Sequence, residues 1–255
     1  ALAALESPDL VICAPTMVDM SGPEFVRRLK KQQEGDAPPV LLFLCDHTLD
    51  LRLDALRAGA DEVLVKPVDD PALLARLRSL LRQHQVTRDL RMHAGAVSAL
   101  GLSEAAPGFD RPGRIGLIAP DRGGAAMLAQ RLQRCSGHKV KLLDPEAALV
   151  KPRSDTAPEI YVLRVCAGNR NAATDLIANL NAKPHSRSRP IVVLLAPDAQ
   201  GQTANLLDMG VADVIAESSA PDELALRIGR QLCFARRAEA MREQLQSGLR
   251  AAVVD

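Results

Sequence analysis

The chain has no tryptophan, one tyrosine and four phenylalanines, so aromatic residues make up only 2% of its 255 positions. Its cores must be filled by Leu, Val, Ile and Ala. A surface built to stack nucleobases is disfavoured, because such surfaces rest on aromatic rings. An excess of either charge is also missing: 32 Lys and Arg against 31 Asp and Glu leave a net charge of +1. No global field therefore draws the protein to nucleic acid or to a membrane surface. No apolar run is long enough to cross a bilayer and no signal peptide is evident, which predicts a cytoplasmic protein without membrane insertion.

The five cysteines, Cys13, Cys45, Cys135, Cys166 and Cys233, form no CxxC pair. Most fall in apolar runs, and they are expected to be small buried residues in a reducing compartment. The five histidines are scattered, with no metal-ligand spacing, so no metal site is expected. There is no GxGxxG or Walker pattern. Gly123-Gly124, at the opening of a helix, reads as loop rather than as an anion cradle. The segment is thus expected to carry no catalytic residues and to bind no cofactor.

Hydrophobic residues reach 47% and charged ones 25%, an ordinary globular balance. The length suits about two domains. Short apolar runs alternate with amphipathic stretches, the pattern of parallel strands alternating with helices. In the first half, strands are expected at residues 10–13, 40–44 and 62–65, and helices at 24–33, 49–58 and 71–83. Gly59 is placed to stop the middle helix, since glycine tolerates a left-handed backbone.

The second half repeats this grammar. Pro8-Asp9-Leu10-Val11-Ile12 is answered by Pro158-Glu159-Ile160-Tyr161-Val162, 150 residues on (158 − 8). Val40 corresponds to Ile191, Gly59 to Gly210 and Val63 to Val214, each 151 residues on (191 − 40, 210 − 59, 214 − 63). An offset constant to within one residue over three strands indicates a duplication. The second copy also has an opening strand at 114–118, a helix from about 125 to 134 and a short strand at 139–143, which completes a (βα)₅ module. The first copy lacks these; residues 1–6 are expected to end its second helix. The chain starts at Ala1 and stops at Asp255 within a helical pattern, so both ends are expected to be cuts.

The expected fold is α/β: two tandem doubly wound parallel-sheet, flavodoxin-like domains, the first truncated at its N-terminus, followed by a connecting helix. Residues 1–86 form the first domain, 87–113 a Gly- and Pro-containing linker whose first half is open to a helix, 114–236 the second domain, and 237–255 the overhang of a long helix. That helix carries Arg227, Arg230, Arg236, Arg237 and Arg242, expected on the outer face of a coiled coil. Lys183, His185, Arg187 and Arg189 make a basic loop, expected to be solvated.

Asp9-Leu10-Val11-Ile12, Met17-Val18-Asp19-Met20-Ser21-Gly22 and Leu56-Arg57-Ala58-Gly59-Ala60-Asp61-Glu62-Val63-Leu64-Val65-Lys66-Pro67 resemble a response-regulator receiver domain. The second copy resembles a more diverged receiver. Two such domains followed by a long helix ending at Asp255 are similar to the regulatory half of PleD-type diguanylate cyclases. The resemblance implies two-component signalling and a GGDEF domain beyond Asp255 that makes cyclic di-GMP. Mg²⁺ and GTP are implied only for that domain. It also implies a homodimer through receiver surfaces, here residues 49–58, 62–65 and 71–83, with a histidine kinase or another response regulator as possible partners. The alternative is a stand-alone adaptor that binds such a partner without enzymatic output.

In receivers an Asp at a strand end accepts phosphate, an acidic pair holds Mg²⁺, and a Ser or Thr, a Lys and an aromatic residue read the phosphorylated state. By this resemblance the first phosphoacceptor position is Ala14, which cannot be phosphorylated. The hydroxyl position is Leu44 and the aromatic position Val63; Lys66 alone is retained, and a carboxylate partner is expected for it. Asp19 is the remaining candidate acceptor. In the second copy the acidic-pair positions are Ala119 and Pro120, with Asp121 beside them. The acceptor position is Arg164, the hydroxyl position Leu195 and the lysine position Glu217. Arg164 and Glu217 are expected to be close, either as a fixed ion pair that imitates a locked pocket or as two independent charges.

Overall fold

In the computed structural model, which describes residues 8–33, 37–46, 48–99, 111–152 and 156–254, the chain divides into two units at Gln85–Val86. Side chains are described up to residue 92 in the helix that crosses this boundary and up to 247 in the last helix.

The first unit contains β1 (Val11–Cys13), α1 (Gly22–Gln32), β2 (Val40–Leu44), α2 (Leu49–Arg57), β3 (Glu62–Val65) and the start of α3 (Asp70–Ala99). Its strands are parallel in the order β1-β2-β3, with Val11 opposite Val40 and Leu42 opposite Val63. Val26, Leu29, Val40, Leu42, Leu44, Ala55 and Val63 form the core.

Local chemistry explains these elements. The Ser21 hydroxyl caps α1 by accepting from the Glu24 N–H at 3.3 Å, Pro23 occupies the first turn, and Lys30 and Lys31 end the helix. Gly59, at φ +100°, closes α2 in the left-handed region, and Gly210 does the same in the second unit at φ +92°. Asp61, two residues on from Gly59, accepts from the Val40 N–H at 2.7 Å and the Lys30 ammonium at 2.6 Å, which fastens β3 to β2 and α1.

The second unit contains β4 (Arg114–Ile118), α4 (Arg122–Ser136), β5 (Lys139–Leu142), α5 (Pro145–Leu149), β6 (Ile160–Val165), α6 (Arg170–Ala182), β7 (Ile191–Leu195), α7 (Thr203–Asp208), β8 (Asp213–Ala216) and α8 (Pro221–Val254). Five parallel strands lie in the order β5-β4-β6-β7-β8, the 2-1-3-4-5 order of flavodoxin-like sheets. Both units are therefore parallel-sheet α/β folds, as the alternation of elements predicts. Leu224, Ile228, Leu232, Ala235 and Ala238 recur every three or four residues on α8 and are buried.

The two sheets differ at one edge. Among the described residues the first has only the counterparts of β6, β7 and β8. Its Ile12 is 53% exposed, whereas Val162, the matching residue of β6, is fully covered because β4 lies alongside.

Three expectations need correction. The closing helix of the first unit does not stop at residue 83 but runs on without a break to Ala99, where it supplies the helix allowed for in the first half of the linker. Arg, Leu, Gln and Met favour helix there, and no proline interrupts it. Residues 1–6 and most of the remaining linker lie outside the described residues. The cysteines are also less buried than their apolar surroundings suggest: Cys13 is buried, Cys45 is exposed and the other three are half-buried. Cys45 is the first residue past β2, where the sheet's cover ends; burial pushes the Cys13 thiol up to about 11. Finally, Arg227 and Arg236 are not outward charges. Arg227 pairs with Asp213 and Arg236 with Glu159, all four side chains at most 10% exposed.

Candidate functional site

In doubly wound sheets the ligand crevice lies beyond the carboxyl ends of the strands. Most of the positions singled out in the sequence fall at or just beyond these ends in both units.

In the first unit Ala14 follows β1 directly and is exposed. Leu44 ends β2 and Val63 lies within β3; both are buried. Lys66 follows β3, and its backbone N–H donates to the Leu44 carbonyl at 3.0 Å. Its ammonium lies 5.3 Å from the centroid of the Phe43 ring rather than in the expected carboxylate pair, a cation–π contact. The loop between Ala14 and α1 folds back on itself: the Met17 N–H donates to Met20 O and the Gly22 N–H to Pro15 O. Asp19 sits exposed within that loop, five residues beyond Ala14 in the chain.

The second unit brings its charged positions together. Arg164 lies on β6, and its Nε is 3.0 and 3.1 Å from the two carboxylate oxygens of Glu217, which follows β8. One Arg164 terminal nitrogen is 3.7 Å from Asp121 Oδ2. Asp121 also caps α4, accepting from the Gly124 N–H at 2.5 Å, so the Gly123-Gly124 turn spends its N–H inside the protein. The hydrogen bond to Glu217 raises the Arg164 pKa above its ordinary value, burial opposes this, and the charges of Glu217 and Asp121 add to it. Ala119 and Pro120 offer no carboxylate, and Leu195 ends β7 buried.

Two participants have no signature in the sequence. Arg131, on α4, donates to the carbonyls of Glu217 and Ser219, both at 2.6 Å. Asn169 donates to the Arg164 carbonyl at 2.9 Å and accepts from the Cys166 N–H at 2.8 Å. Both act on backbone groups that only the folded chain brings near. In the basic loop, Lys183 donates to the Leu149 carbonyl at 2.7 Å. No group of three or more His, Cys, Asp or Glu side chains that could hold a metal ion occurs among the described residues, and none of their helices is long and apolar enough to cross a membrane.

Residues 1–78 match the family described as response regulator receiver domain, and the first unit is a receiver domain. The second unit has a parallel sheet of the same kind, so the chain carries two receiver-like units in tandem. Over its whole length it is similar to the response regulator PleD of Caulobacter vibrioides, at 29% identity over 256 residues. It spans 56% of that protein's length. The transcriptional regulatory protein CusR of Escherichia coli is 40% identical over 75 residues, 29% of this chain and 32% of CusR. A solved structure described as a two-component system response regulator/GGDEF domain protein covers 88% of this chain, and this chain 79% of it, with a TM-score of 0.40 and 16% identity.

Proposed function

We propose that this chain is a tandem pseudo-receiver module that sets the dimer geometry of an attached effector, a GGDEF domain making cyclic di-GMP from two GTP in the cytoplasm. The reading is carried by two parallel-sheet units in which Ala14 directly follows one strand and Arg164 lies on another, the positions that the receiver resemblance gives to the phosphoacceptor. Similarity to PleD along the whole chain supports a regulatory segment of a larger protein. A scaffold kept without its acceptors is useful as a surface.

Exposed apolar side chains in the first unit support this reading. Leu49 and Leu51 on α2 are each 43% exposed, and Leu74 on α3 is 52% exposed. Each leaves a large apolar side chain in water on the helices before and after β3. A second copy meeting these residues would remove that area from solvent, at roughly 25 cal/mol per Å². Because a diguanylate cyclase must bring two GTP-bound sites face to face, a module that holds two copies together controls output without chemistry of its own.

Sedimentation of the full-length protein and its conversion of GTP test the reading together. A dimer that makes cyclic di-GMP, with both properties lost in Leu49→Glu/Leu74→Glu, is the expected result. A full-length protein that binds a histidine kinase or another response regulator and makes no cyclic di-GMP would establish the adaptor instead.

A further inference from the structure

A receiver that transfers phosphate needs a divalent cation, and the residues of the second unit do not fit one. Ala119 and Pro120 supply no oxygen donors from their side chains, and the one neighbouring carboxylate, Asp121, is already committed. Its Oδ1 holds the Gly124 N–H and its Oδ2 faces Arg164. The guanidinium between Asp121 and Glu217 would repel a dication placed at the same carboxylates.

We infer that Arg164 has taken over the charge-neutralising place of the metal, and that its grip on Glu217 permanently sets the turn from which α8 departs. The turn is held from three directions. The Glu217 N–H donates to the Leu195 carbonyl at 2.8 Å, extending the β7–β8 ladder by one residue. Arg131 holds the carbonyls of Glu217 and Ser219 from α4. Arg164 holds the Glu217 side chain from β6, with 23% and 21% of the two side chains left exposed. Residue 221 then begins the 34-residue helix that leaves the unit.

In a switchable pocket this turn would move when an ion or phosphoryl group arrived; here a resident cation occupies the equivalent place in every molecule. Arg131 needs only the backbone of the turn, whereas β6 reaches it, among the described residues, through the side chain of Glu217. The second unit is therefore a coupler of fixed geometry, insensitive to Mg²⁺ and to phosphoryl donors. This holds whether or not the chain dimerises or a cyclase domain follows it, so its test is independent of the proposed function.

Amide hydrogen exchange, resolved over residues 213–224 of the full chain, decides the matter. In the unmodified protein, excess Mg²⁺ with beryllofluoride leaves exchange in this segment unchanged. Arg164→Ala and Glu217→Ala each accelerate exchange at 217–220 by about five- to tenfold, while the amides of β4 and β7 keep their rates. The double variant is no faster than either single one, because the two residues act as one interaction. Should Arg164→Ala fail to fold, Glu217→Gln, which keeps the side chain's size and removes its charge, gives the same reading. Protection of the turn that appears only with Mg²⁺, unchanged exchange in the variants, or additive acceleration in the double variant would each overturn the inference.

Discussion

Arg227 on α8 holds Asp213 at the start of β8 through two contacts, Nε to Oδ2 at 2.8 Å and one terminal nitrogen to Oδ1 at 2.5 Å. Both side chains are at least nine-tenths buried, with Glu223 3.7 Å from the same guanidinium. In the first unit Arg76 and Glu62 form the same pair, each 151 residues earlier (227 − 76, 213 − 62). The two copies thus share a buried ion pair that ties the closing helix to the last strand.

Removing one partner of a buried pair leaves the other charge stranded, which costs about 3–5 kcal/mol. Arg227→Ala is expected to lower the stability of the second unit by that order, measured by urea unfolding. Arg76→Ala is expected to do the same to the first unit. A loss below about 1 kcal/mol in both would show that water reaches the abandoned carboxylates and that the pairs are dispensable.

Phosphoryl transfer to this chain is expected to fail. Incubation with acetyl phosphate and Mg²⁺ should add no phosphoryl mass, since Ala14 and Arg164 cannot accept one. Asp19 is the one nearby carboxylate in the first unit's loop, so phosphorylation mapped to Asp19 would contradict the pseudo-receiver reading.

Gly22 is the glycine on which the first pocket depends. A methyl group at this position would overlap the Ala14 carbonyl oxygen and lie 2.8 Å from Leu42 Cδ1. Gly22→Ala must therefore push the acceptor loop away from the helix, at a cost of about 1–3 kcal/mol. Thermal unfolding of the variant, with chemical-shift changes at residues 13–16, would measure it. An unshifted loop at unchanged stability would refute the contact.

Stability should fall as the solution is acidified. Burial, helped by Arg236 and opposed by Glu159, holds His138 below its ordinary value near 6.5. His185 is lowered as well, first by burial and then by Arg189, Lys183 and Lys151. The unfolded chain then binds more protons than the folded one. The contribution is complete above about pH 6.5 and is lost as pH drops through the depressed folded values. His138 Nδ1 also accepts from the Gly113 N–H at 3.1 Å, a bond that protonation there would break. His138→Asn, which keeps an acceptor, should flatten the urea midpoint between about pH 7 and 5. An unchanged slope would assign the pH dependence to other groups.

Much of this protein is determined by local pattern. Apolar runs of four to six residues separated by amphipathic stretches specify the strands of both parallel sheets, because burial on two faces demands continuous Val, Ile and Leu. The constant offset between Val40 and Ile191, or Gly59 and Gly210, shows the duplication without any coordinates. The residues that the receiver resemblance places at pocket positions, Ala14, Leu44, Arg164 and Glu217, are likewise legible one position at a time. Other features depend on approach in three dimensions. Nothing local announces that Lys66 settles over Phe43, that Arg227 and Arg236 turn inward, or that Arg131 reaches the carbonyls beyond β8. A charged side chain long enough to reach several partners is directed by the backbone around it, and the spacing along the chain does not record that direction. The residues at 164 and 217 illustrate the division. Their identities, an arginine and a glutamate, are legible in the sequence, whereas the 3.0 Å contact arises because adjacent parallel strands β6, β7 and β8 bring their carboxyl ends to one rim.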